Sequence, residues 1–292
     1  MTGRPSVSVA MAAYNGERYL PEMLESLASQ TRQPDELVVR DDASEDGTVG
    51  LLQAYARRMP FRVEVIAGSR RLGYAQNFVA ASRACSGGVI FFADQDDHWH
   101  PSKLAAVSQH ARPRKPQAFF HDFTLQRDDG ESRPSYYAVL AEHGLPPAAA
   151  LKGCSMAVTR GFVDLWGWPP ADAPVSHDFW VALLSTAFGQ RHNLLEPLID
   201  HRLHGDNASG WIPDESSRVF TSTDDGGGPV RLLIDLVIKP PRLHARTRAF
   251  LDVLDDRGAA VDPVAVQRVR HLLQVNRRRH RAARAEQSAP QA

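Results

Sequence analysis

A chain of 292 residues is long enough to bury a sizeable core, as one large domain or two modest ones. Its 34 Lys and Arg equal its 34 Asp and Glu, which argues against nucleic acid or an anionic membrane as the main partner. Its two cysteines, Cys85 and Cys154, cannot make a disulfide framework or a structural zinc site, so a reducing cytoplasm is the expected setting.

The first predicted element is a strand over 6–13. It could pass for a short signal-type apolar run, but Asn15 and Gly16 end it at once, and no run in the chain approaches the ~20 apolar residues of a spanning helix. Asn15 can cap a helix whose Leu20, Met23, Leu24 and Leu27 share one face. A strand over 36–40 then runs into the acidic turn DDASEDGT. Leu51, Leu52, Tyr55 and Met59 mark a second helix, 61–67 a third strand, and 74–85 a third helix packed through Phe78 and Val79. The segment VIFFADQDDHW follows, in which the apolar residues 89–93 predict a buried strand that delivers Asp94, Asp96 and Asp97 to its end. Alternating strands and helices predict an α/β fold with a mostly parallel central sheet wrapped by helices.

Beyond Pro101 the pattern loosens. The spacing predicts a helix over 103–110, a strand over 118–123, and a variable irregular loop over 126–147. Strand character returns over 152–159, a helix is expected over 178–188, and an extended segment over 194–201. Residues 211–229 read as a Gly-rich linker, and 230–292 as a helical extension broken at Pro240 and Pro241. That extension includes a short apolar packing segment over 232–238. It ends in Arg277, Arg278, Arg279, His280, Arg281 and Arg284, a solvated helix end or a peripheral membrane contact.

Three carboxylates at one strand end repel unless something compensates them. One reading is a divalent ion that holds a phosphate, and the other is an acidic turn before a helix. Asp42 could accept from a base imide or a ribose hydroxyl, while Asp94 and Asp96 address ribose and metal. No glycine-rich phosphate loop is present, so a diphosphate would be held by metal and side chains. Asp178 in SHDFW is either a general base for a hydroxyl nucleophile or a plain N-cap, and its aromatic neighbours, Trp180 among them, could desolvate it or stack on a sugar.

Several blocks in order resemble the inverting family 2 glycosyltransferases of the GT-A fold, most closely the bacterial rhamnosyltransferase-like branch. They are VSVAMAAYNGERYLPEMLESLASQT, VVRDDASEDGT, LGYAQNFVAA with FADQDDHWHPSKL, KGCSMAVTR, SHDFWVALL and HRLHGDN, spread over about residues 7–210. The resemblance implies a GT-A domain over 1–210, with a nucleotide-binding half over 1–100 and an acceptor-side half over 101–210. It puts pyrimidine contacts on Ala12, Tyr14 and Asp42, with Asp94 and Asn77 also on the donor side. Arg70 and Arg71 are further phosphate or sugar contacts. It puts the metal on Asp96, with His204 as a ligand or a loop-stabilising histidine, and lets Asp97 share that work or cap the next helix. The general base falls on Asp178, in a His-Asp pair where many relatives have Glu-Asp. The acceptor side falls on Lys152, Gly153, Cys154 and Trp180.

The implied activity is metal-dependent transfer of a sugar, with rhamnose the first guess, in cell-surface polysaccharide synthesis. A dTDP- or UDP-sugar would be the donor, Mg²⁺ or Mn²⁺ the cofactor, and a glycan or lipid-linked hydroxyl the acceptor. Two rivals remain: a module that binds a nucleotide sugar without transferring it, and a sugar nucleotidyltransferase. The second usually carries a basic, glycine-rich loop after the first strand, which residues 12–17 lack.

Overall fold

The computed structural model describes residues 4–127, 132–205, 230, 233–234 and 242–287. The strands are β1 (Val7–Ala13), β2 (Glu36–Asp41), β3 (Arg62–Ala67), β4 (Val89–Asp94), β5 (His98–Trp99), β6 (Ala118–Arg127), β7 (Ser132–Ser135), β8 (Met156–Thr159) and β9 (Arg191–Leu203). They form one sheet in the order β3-β2-β1-β4-β8-β6-β9-β5, with β7 paired to β6. The helices are α1 (Leu20–Ala28), α2 (Thr48–Ala56), α3 (Tyr74–Ala84), α4 (Lys103–Ser108), α5 (Tyr136–Glu142), α6 (Arg160–Trp166), α7 (His177–Ala187), α8 (Leu243–Arg257) and α9 (Pro263–Gln287).

The expected parallel order holds across β3, β2, β1 and β4. Beyond β4 the sheet is mixed, since β8 runs antiparallel to β4 and to β6, while β9 runs parallel to β6. In β4 the side chains alternate between two cores. Val89, Phe91 and Ala93 enter the one that holds α1, α4 and α5, whereas Ile90 and Phe92 enter the one that holds α3, α6, α7, α8 and α9. A strand buried on both faces must be apolar at nearly every position, which is why 89–93 carries no charge until the sheet ends.

The predicted irregular loop over 126–147 is corrected in its described part. β7 and α5 lie within it, and Ser135 caps α5 by accepting from the Ala138 backbone N–H at 3.3 Å. Tyr136, Tyr137 and Leu140 turn inward and supply the core contact that the polar flanks conceal. The strand expected over 152–159 is shorter, because a 3₁₀ turn at Gly153–Ser155 precedes β8. The proposed linker over 211–229, the break at Pro240 and Pro241, most of the segment over 232–238, and Asp206 and Asn207 lie outside the described residues.

At the C-terminal end, α8 and α9 bury Phe250, Leu254, Val269 and Leu273 against the core that holds α7. Among the described residues, no helix is long and apolar enough to cross a membrane.

Candidate active site

β1, β2 and β4 are parallel neighbours, so their carboxyl ends open on one edge, where ligands of open α/β sheets bind. Ala12 on β1 lies level with Arg40 on β2 and Asp94 on β4. A cleft of about 570 Å³ opens at this edge. Ala12, Tyr14, Asp42, Asn77, Asp94, Asp96, Lys152, Gly153, Asp178 and His204 all line it.

The turn after β1 is fastened to the turn after β4. Gln95, between the two outer acids of Asp94-Gln95-Asp96, accepts from the Tyr14 N–H and donates to the Tyr14 carbonyl, each at 2.9 Å. The Tyr14 ring carries the Arg71 guanidinium at 3.7 Å from its centroid. Arg71 also lines the cleft, whereas Arg70 is exposed and does not. Across the turn after β2, Asn15 donates from its backbone to Ser44 and accepts from the Glu45 N–H, both at 2.9 Å. Ala43 holds a left-handed backbone with φ 63°, a strained conformation for a residue with a Cβ.

Asp42 is buried and already accepts from the Leu72 N–H at 2.7 Å, the Gly73 N–H at 2.9 Å and Arg40 at 3.0 Å. A carboxylate has about four acceptor positions, so room is left for one more donor from the cleft. Asn77 donates to the Arg40 carbonyl at 2.9 Å and accepts from the Arg40 guanidinium, which locks α3 to the end of β2.

The three acids after β4 have separate partners. Asp96 Oδ2 meets His204 Nε2 at 2.8 Å, and the His204 ring stacks on Tyr19 at 4.8 Å. Asp97 is 1% exposed and its Oδ1 meets His201 Nδ1 at 2.7 Å. It therefore neither faces the cleft nor caps the next helix, whose N-cap is Ser102. Burial, with the charges of Asp97 and Asp96, pushes the Asp94 carboxyl up to about 8. His201 moves upward too: burial pulls its pKa down, but the charge and hydrogen bond of Asp97 outweigh it.

Asp178 opens α7, whose N-cap is Ser176, so the plain-cap reading of Asp178 is set aside. One carboxylate oxygen accepts from the Phe179 N–H at 2.8 Å, near the positive end of the helix. Burial raises the Tyr74 pKa, and so do the charges of Asp178 and Asp94, which line the same cleft.

Two expected acceptor-side residues are corrected. Trp180 is 1% exposed, donates to the Gly167 carbonyl at 3.2 Å and stacks on Phe250 at 4.9 Å, because the second residue after Asp178 on a helix turns toward the core. Cys154 is fully buried beneath the cleft, and burial holds its thiol well above the ordinary pKa.

Whether this edge fits a divalent ion can be tested on its donor atoms. Ligands at right angles on a Mg²⁺- or Mn²⁺-sized ion lie about 3 Å apart. The 2.8 Å between Asp96 Oδ2 and His204 Nε2 suits that, and Asp94 beside them is short of positive charge. Asp94, Asp97, Cys154 and His201 also bring ligand atoms within 4.8 Å of one another, but this group includes a protonated thiol, and its Asp97 and Cys154 are buried and do not line the cleft. Oxygen and imidazole donors at Asp96 and His204 fit a hard cation better.

Gln95, His201 and Tyr19 were not singled out from the sequence. A signal exists in retrospect, since DDHWH at 96–100 meets DHRLH at 200–204 in antiparallel order, acid opposite histidine. Asp200 thus faces His98 and His100.

Residues 8–140 match the family described as Glycosyl transferase family 2. The chain is 26% identical over 211 residues to the putative teichuronic acid biosynthesis glycosyltransferase TuaG of Bacillus subtilis, a match covering 70% of this chain and 82% of that one. It is 24% identical over 212 residues to the UDP-Glc:alpha-D-GlcNAc-diphosphoundecaprenol beta-1,3-glucosyltransferase WfaP of Escherichia coli, covering 70% and 79%. Its fold is similar to that of the mannosyltransferase PcManGT from Pyrobaculum calidifontis, solved in complex with GDP-Man and Mn²⁺. That likeness has a TM-score of 0.56 at 19% identity and covers 96% of this chain and 88% of that one. The chain is a glycosyltransferase, with a glycosyl transferase family 2 domain over residues 8–140 set in a GT-A-like fold.

Proposed function

We propose that the cleft transfers a sugar, with inversion, from a nucleoside diphosphate to a hydroxyl of a glycan or lipid-linked acceptor in cell-surface polysaccharide synthesis. The observation that carries this reading is that Asp178 lines the same cleft as Asp94 and Asp96. The Tyr14 ring offers a platform for a pyrimidine, and the spare acceptor position of Asp42 suits the imide N–H that uracil and thymine share. Asp96 and His204 would hold Mg²⁺ or Mn²⁺, which when bound supplies counter-charge for the departing diphosphate.

Asp178 takes the proton of the acceptor hydroxyl as its oxygen attacks the anomeric carbon from the face opposite the diphosphate. The bond from that carbon to the phosphate oxygen breaks, its electron pair leaves with the nucleoside diphosphate, and the anomeric configuration inverts. Helix α7 keeps the base oriented, because Phe179 and Trp180 anchor it in the core. The teichuronic acid and diphosphoundecaprenol in the relatives' names support the acceptor class, and the basic end of α9 would bring the enzyme to a membrane surface where such acceptors reside.

A thermal-shift screen of dTDP-rhamnose, UDP-glucose, UDP-N-acetylglucosamine and GDP-mannose, with and without Mn²⁺, tests the reading. Bound donor raises stability by mass action, so at least one pyrimidine donor is expected to raise the melting temperature with Mn²⁺, and Asp96→Ala to lose the metal-dependent part. No shift with any donor would overturn it.

A further inference from the structure

Beside Asp178, the imidazole of His177 is 1% exposed, yet neither ring nitrogen has a hydrogen-bond partner among the described residues. The ring sits between Phe78 and Phe92, with centroids 4.6 and 5.2 Å away, and it forms part of the cleft wall. A phenyl ring would fill such a slot without stranding two polar atoms, so an imidazole here is a stability cost that packing does not explain. Burial holds its pKa below the ordinary value, against the weaker pull of the Asp178 charge. A neutral imidazole has one donor and one acceptor nitrogen, which matches a sugar hydroxyl.

A second observation gives the direction of approach. A Cβ on Gly153 would come within 2.9 Å of His177 Nε2. The backbone at Gly153 is not left-handed, so glycine is needed there for space and not for conformation. Gly153 and His177 both line the cleft, and without a Cβ the cover beside Nε2 is as thin as a residue allows. The slot is also tied along the chain to both chemical ends of the site: Phe92 is two residues before Asp94 on β4, Phe78 follows Asn77 on α3, and Asp178 is the residue after His177. Asn77, Asp94, His177 and Asp178 all line the cleft, which is where the nucleotide-sugar reading puts the transferred sugar.

We propose that His177 Nε2, reached past the bare Cα of Gly153, hydrogen-bonds a hydroxyl of the sugar being transferred and so helps select it. The assignment rests on the nucleotide-sugar reading of the cleft. It makes His177 a binding residue for the sugar and gives it no part in holding the nucleoside diphosphate.

The test is calorimetry with Mn²⁺, using whichever of dTDP-rhamnose, UDP-glucose, UDP-N-acetylglucosamine and GDP-mannose the wild type binds tightest, together with the matching nucleoside diphosphate. His177→Phe is expected to bind the diphosphate as wild type does, to bind the nucleotide sugar about tenfold more weakly, and to melt at a higher temperature. Gly153→Ala keeps the imidazole and closes the approach, so the same sugar-specific loss is expected even where the Phe variant folds poorly. Unchanged nucleotide-sugar affinity in both variants would overturn the proposal, as would equal losses for sugar and diphosphate. A wild type that binds diphosphate and nucleotide sugar equally well overturns it too, while a wild type that binds none of these compounds fails the donor reading itself.

Discussion

Asp94, Asp96 and Asp97 share one turn, and the partners that separate their roles lie about a hundred residues away, His201 on β9 and His204 just past its end. Asp96 takes His204 and Asp97 takes His201, while Asp94 takes neither and is left with a carboxyl pushed up to about 8. The cluster of acid was legible in the sequence as an anomaly that needed a cation or donors. Asp94 and Asp96, read from the sequence as the ligand-facing acids, do line the cleft, but the burial of Asp97 against His201 was not legible, because that depends on the register of β5 against β9. The same limit applies to Trp180 and Cys154, whose residue types suited an acceptor wall and whose places in the packing put them in the core. Lys103 is the opposite case, a charged residue that gave no sequence signal and is fully buried. Its Nζ donates to the Cys154 carbonyl at 2.8 Å and lies 3.4 Å from the Trp99 ring centroid. Burial pushes its pKa from 10.5 down to about 7. Between those values the unfolded chain binds a proton that the folded one has released, so this group makes stability rise with pH across that window. Urea unfolding from pH 7 to 10 should show wild type gaining on Lys103→Met by up to about 1.4 kcal/mol per pH unit. Parallel curves for the two proteins would mean that Lys103 stays charged when folded.

Among the elements, the loops at the ends of β1, β2 and β4 behave as one unit, because each supplies hydrogen-bond partners for another's backbone. Gln95 is the clearest instance, with one side-chain amide satisfying both polar groups of the Tyr14 backbone. Gln95→Leu leaves that N–H and carbonyl without their partner and should cost about 1–3 kcal/mol in chemical denaturation. It should also weaken donor binding, since the Tyr14 ring loses its anchor. A variant as stable as wild type would show that water or a neighbour replaces the amide. The strands and helices up to β4 were legible because apolar period and turn chemistry agree there at every step. α5 was not, since Pro134 and the polar residues before it suggest a loop, and only the packing of Tyr136, Tyr137 and Leu140 beneath β6 makes the helix worth forming.

Across the whole molecule, the sheet divides two cores, and the second of them joins the C-terminal helices to the helix that carries Asp178. Phe250 on α8 is fully buried and contacts both Trp180 at 4.9 Å and Phe179 at 5.5 Å. Phe250→Ala should therefore cost about 3–5 kcal/mol in urea unfolding. Because the lost contact backs α7, turnover should fall in the folded fraction while donor affinity stays close to wild type. Equal loss of donor binding would mean that α8 supports the nucleotide side as well. This long-range coupling could not be read from the chain: the helical extension was visible, but the face it covers is set by the fold.

The central claim is that Asp178 removes the proton from the incoming hydroxyl, and one comparison tests it most directly. Asp178→Asn keeps the shape of the side chain and its hydrogen bond to the Phe179 N–H but removes the basic oxygen. With the donor identified by the screen, sugar transfer should fall by about 10²–10⁴-fold while calorimetry finds donor affinity unchanged. Turnover within a few-fold of wild type would contradict the account and move the base elsewhere in the cleft.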